Sequence, residues 1–114
     1  MPDLSEVDLS EGSRCVADGF NSTELRITLS DGSHAELEGS ASDLIIDASE
    51  GSHAKLSELH VKNADVTLSE GSDATINIDG NLDADLSEGS HLFYTGTPTM
   101  GKIQTSDGSD IRKQ

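Results

Sequence analysis

The sequence has no tryptophan, a single cysteine, two prolines and only 3% aromatic residues. One thiol, Cys15, excludes an internal disulfide. No apolar run approaches the roughly 18 residues of a membrane span, so membrane insertion is not expected. The opening Met1-Pro2-Asp3-Leu4 has neither the basic nor the apolar region of a signal peptide. Positive charge is scarce too: 7 Lys and Arg stand against 22 Asp and Glu, a net charge of −15. That balance argues against nucleic acid and anionic membranes as partners, because both are polyanions. It is compatible with cation binding or with life in salt. With 32% hydrophobic residues in 114, the chain falls short of an ordinary globular core. Such a composition stays disordered unless its few apolar residues are placed with regularity.

They are. A four-residue unit, serine-acid-glycine-serine, occurs six times, beginning at Ser10, Ser30, Ser49, Ser69, Ser87 and Ser106. The intervals are 20, 19, 20, 18 and 19 residues. A near-constant period of this length is the mark of a repeat architecture. Around the unit the apolar residues alternate. Three positions before the first serine stand Val7, Ile27, Ile46, Val66, Ala84 and Ile103. One position before it stand Leu9, Leu29, Ala48, Leu68, Leu86 and Thr105. Five before it, coils two to five offer Leu25, Leu44, Ala64 and Leu82. Two residues after the last serine come Cys15, Ala35, Ala54, Ala74, Leu92 and Ile111, then Ala17, Leu37, Leu56, Ile76 and Tyr94. Alternation of this kind is a strand with one buried face.

Each coil therefore reads as strand, tight corner, strand and a looser return. The corner glycine supplies a residue with φ > 0 at no steric cost. The returns vary in length and carry Gly19, Gly39, Gly80 and Gly96, as loops do. About 19 residues per coil leave no room for a crossover helix, so successive coils must pair in parallel at about 4.8 Å. The expected fold is all-β: one domain over residues 1–114, a right-handed parallel β-helix (solenoid) of about six coils. Right-handed is favoured because the strict six-residue repeat of left-handed β-helices is missing.

The repeated serine-glycine corners with small apolar ladders resemble the family of auto-transporter adhesin head GIN domains. The last third carries the likeness best. Leu86-Ser87-Glu88-Gly89-Ser90 runs on to Tyr94-Thr95-Gly96-Thr97-Pro98, then to Gly101-Lys102-Ile103 and Ser106-Asp107-Gly108-Ser109. The chain departs from that pattern in having Glu or Asp where the family commonly has a small residue. The resemblance implies a β-helix at a bacterial or archaeal cell surface, hence an extracellular or cell-surface location.

Three sets of residues could carry chemistry. The corner acids Glu11, Asp31, Glu50, Glu70, Glu88 and Asp107 should form one column. Neighbouring carboxylates about 5 Å apart repel, and bound Ca²⁺, which prefers oxygen ligands, would relieve this. The alternative is a solvated acidic edge screened by salt. No other cofactor is expected. The residue after each corner places His34, His53, Asp73 and His91 in one outward ladder, with Arg14 and Asp110 at its ends. Imidazole and carboxylate are ligands for zinc or nickel, whereas a flat ladder spreads them along a line. His60 falls in a return and reads as a surface residue. Cys15 is either a small buried hydrophobe or a site of intermolecular pairing. Asn21-Ser22-Thr23 matches the glycosylation triplet, also in a return.

No serine elbow, phosphate loop or acid pair in a walled cleft is present, so an enzyme is not expected. The expected role is adhesion or surface contact through an unidentified surface protein or glycan. Two alternatives stay open, a cation-binding module and a subunit that self-associates through its solenoid ends.

Overall fold

A computed structural model of the chain describes residues 6–106 and 108–113, and among them it contains eight strands and no helix. They are β1 Glu6–Leu9, β2 Arg14–Leu29, β3 His34–Ala48, β4 His53–Leu68, β5 Asp73–Leu86, β6 His91–Thr95, β7 Thr99–Thr105 and β8 Asp110–Lys113. Every pairing is parallel, in the order β1-β2-β3-β4-β5-β6-β8, with β7 also on β5. Each residue pairs with its equivalent one coil later, as in Leu9 to Leu29 to Ala48 to Leu68 to Leu86. The chain is thus a parallel β-solenoid of about five turns, measuring 42 × 33 × 19 Å. The corner-to-corner segments are the turns, with β1 before the first corner and β8 after the last.

The expected inward columns form the core. Leu25, Ile27 and Leu29, Leu44, Ile46 and Ala48, Ala64, Val66 and Leu68, and Leu82, Ala84 and Leu86 are all buried, as are Ala35, Ala54 and Ala74. Burying one Leu or Ile contributes about 1.5–3 kcal/mol, so stacking even a thin column of them favours the coil. The columns thin out at the ends. Leu9 and Cys15 at one end and Tyr94 and Ile111 at the other are only partly buried, and Ile103, above Ala84 in register, is 37% exposed. Thr105 is exposed as well. Most inward positions on the terminal coils lack a covering coil on one side, although Val7 on β1 is still buried.

The return segments differ from the expected loops. They are paired strand, and they bury Ala41, Leu59, Val61 and Ile78. The coil is therefore three-sided. Alternation breaks where the strand bends: Leu56 and Leu59 are both buried three positions apart, as are Val61 and Ala64. The pairing register shifts at the same places, between Leu56 and His60 and between Val61 and Asn63. A residue skipped in the ladder bends a strand and reverses which side chains face in. At one such bend a Cβ on Gly80 would overlap the Lys62 carbonyl, which is why glycine stands there. His60 and Asn21 accordingly lie on strands β4 and β2, paired with Ser40, rather than in loops.

Candidate functional site

The corners organise everything on the outside of the coil. Both central residues have φ > 0: Glu11, Asp31, Glu50, Glu70 and Glu88 lie at 53–58°, and the glycines that follow them at 76–78°. Two successive left-handed residues define a type I′ turn. The expectation had assigned this conformation to the glycine alone, and the acids prove to share it. The second serine closes the turn. Its hydroxyl donates to the carbonyl of the first, at 2.6 Å from Ser33 to Ser30 and 2.8 Å from Ser72 to Ser69. Ser33, Ser52, Ser72 and Ser90 are fully buried, and no buried side-chain polar atom among the described residues lacks a partner. A hydroxyl can enter the core here because its hydrogen bond is made within its own turn.

Corners stack by backbone bonds. The N–H of Gly12 donates to Asp31 O at 2.9 Å, and Gly32, Gly51 and Gly71 donate likewise to Glu50, Glu70 and Glu88 at 3.0 Å. That ladder holds Glu11, Asp31, Glu50, Glu70 and Glu88 as successive members of one column, while Asp107 lies outside the described residues. Crowding is felt at its centre. The carboxyl of Glu50 is pushed above its ordinary value, first by a hydrogen bond shared with Asp31, then by the charge of Asp31, slight burial and the charge of Glu70.

One step along, Arg14, His34, His53, Asp73, His91 and Asp110 are paired in register as a second column. The rings of His34 and His53 stack with centroids 4.9 Å apart and planes 11° from parallel. His53 Nδ1 lies 3.1 Å from Asp73 Oδ2, and His91 Nδ1 lies 3.7 Å from Asp110 Oδ2, which Arg112 also approaches at 3.7 Å. All these side chains are part-exposed. No three His, Cys, Asp or Glu side chains among the described residues are gathered so as to hold a metal ion as they stand.

A third feature escaped the sequence reading. Six positions before corners two to five stand Glu24, Asp43, Asn63 and Asn81, paired in register. Asn63 donates to Asp43 Oδ1 at 3.1 Å and accepts from the Asn81 backbone N–H at 3.3 Å. With Asp65 and Asp83 these residues line a shallow groove of about 360 Å³. The constant offset from the corner was available as a signal, but the column lies next to an inward one and beside a bend, where alternation gives no guide. Cys15, by contrast, is a free, half-buried thiol.

The family model described as "Putative auto-transporter adhesin, head GIN domain" matches residues 2–98. The chain belongs to this family. Strands β7 and β8 carry the same parallel pairing beyond the matched part of the GIN domain. No curated protein and no solved structure matches the chain. No helix among the described residues is long and apolar enough to cross a membrane.

Proposed function

We propose that this GIN domain is a non-catalytic contact module of a cell surface, binding a surface protein or glycan through its outward strand columns. The observation that carries the reading is the ordered outer face before each corner. Thr28, Asp47, Thr67, Asp85 and Gln104 form one column, and Asp65 and Asp83 lie in a neighbouring one two residues away. Strands hold these groups about 4.8 Å apart along the stack and about 6.6 Å apart across it. Such an array offers repeated hydrogen-bonding groups to an extended partner, whereas the described grooves are shallow and open. The family's description as an adhesin head supports the same reading. Beads coated with the chain should adhere to cells or to a glycan array. Asp47→Lys combined with Asp85→Lys should abolish adherence with the β-sheet spectrum intact. Adherence indifferent to the double variant would remove this face from the proposal.

End-to-end stacking is the second reading, favoured by the exposure of Ile103 on the last described turns. Edge strands template further strands unless something covers them. Light scattering at low salt should then show association that Arg112→Glu with Lys113→Glu weakens. A strictly monomeric chain at high concentration refutes stacking.

A further inference from the structure

We propose that His34 and His53 form a chelating pair for a borderline divalent transition ion, Zn²⁺ or Cu²⁺, on the outward face of the second and third corners. The two imidazoles occupy paired positions on β3 and β4 and already stack, 4.9 Å apart and 11° from parallel. The register and the stacking put both rings on the same outward column. Two metal–nitrogen bonds of about 2.0–2.1 Å need the ligating nitrogens roughly 3–4 Å apart. Lone pairs lie in the ring planes, so the stacked rings must turn well out of their parallel arrangement before both nitrogens face one ion, and the half-exposed His53 has solvent beside it in which to turn.

Asp73 makes the pair more than a chance juxtaposition. Its Oδ2 sits 3.1 Å from His53 Nδ1, and a carboxylate at that distance favours the tautomer that keeps the proton on Nδ1. The lone pair is thereby left on Nε2, for which no hydrogen-bond partner exists among the described residues. A carboxylate behind a ligating imidazole fixes its tautomer and raises its basicity, and its loss typically costs 10–100-fold in metal affinity. His91 lacks this arrangement. Its register neighbours are Asp73 and Asp110, so no second imidazole adjoins it. The surrounding charge of −15 draws cations to the surface without choosing among them, and the imidazoles supply the choice. Remaining coordination positions would be open to water or to a donor on whatever the surface touches.

The test is calorimetric titration of the intact chain with Zn²⁺, Cu²⁺ and Ca²⁺, in a Cys15→Ser background that removes the thiol as a competing ligand. One Zn²⁺ or Cu²⁺ should bind per chain, Cu²⁺ more tightly, following the general order for nitrogen sites. His34→Gln and His53→Gln should each lower affinity at least tenfold. Asp73→Asn should lower it 10–100-fold, and His91→Gln should leave it unchanged. Binding should release protons and weaken as pH falls, because a ligating nitrogen must be unprotonated. No heat with Zn²⁺ or Cu²⁺, equal affinity for Ca²⁺, or binding indifferent to His34→Gln would each overturn the assignment. Matching β-sheet spectra of the variants confirm that losses are local.

Discussion

Replacing Glu70 by asparagine should stabilise the solenoid, although it removes a charged surface residue. Glu70 stands at φ 55° in the first central position of its corner. Left-handed backbone costs an ordinary L-residue about 1–2 kcal/mol, and asparagine, which occupies that region far more readily, recovers about half of it. Asn-Gly is also the preferred central pair of a type I′ turn, and Gly71 already supplies the glycine. The expected gain is therefore about 0.5–1 kcal/mol, which in a domain of this size raises Tm by roughly 2–6 °C. Charge removal must be separated from backbone relief. Glu70→Gln removes the charge and leaves the side chain as poorly suited to φ > 0 as before. In 1 M salt, where the screening length is about 3 Å, charge effects are largely suppressed. Thermal melts followed by circular dichroism should then place Glu70→Gln near the parent chain and Glu70→Asn above both. If the two variants melt together in high salt, the left-handed corner carries no cost that asparagine relieves, and the reasoning fails.

Leu68, fully buried between Ala48 and Leu86, should lose about 2–5 kcal/mol on change to alanine. Leu68→Asp should prevent folding, both read by chemical denaturation. Because the Glu50 carboxyl is raised above 4.5, the folded chain holds that proton more tightly than the unfolded chain does. The destabilisation it causes is fully present at neutral pH and is relieved as pH falls through the raised value, with no further gain below 4.5. Tm of the parent should thus rise as pH falls from 7 toward 4.5 more than that of Glu50→Gln, and equal profiles would assign the rise to other groups. Millimolar Ca²⁺ should raise Tm more than Na⁺ of matched ionic strength, since the carboxylate column suits oxygen-seeking cations. Identical effects would reduce the column to a screened edge.

Much of this protein was legible in its sequence, for a physical reason. Parallel stacking repeats each environment once per coil, so the corners at Ser10 to Ser106 and the columns through Leu29, Ala48, Leu68 and Leu86 show up as spacing alone. Alternation on each side of a corner then separates inside from outside. Membership of the His34, His53, Asp73 and His91 ladder followed from the same count. The return strand was not legible, because bends at Leu56–Leu59 and Val61–Ala64 break the alternation that reveals a buried face. Its residues looked like loop until pairing with neighbouring coils satisfied their backbone. The left-handed corner acids were hidden for another reason: glutamate is an unfavoured choice there, so local preference pointed away from what the stacked backbone bonds enforce. Ring stacking of His34 on His53 and the seat of Asp73 against Nδ1 depend on side-chain torsions chosen by neighbours one coil away. Spacing determines which residues meet; only tertiary packing decides how their atoms face one another.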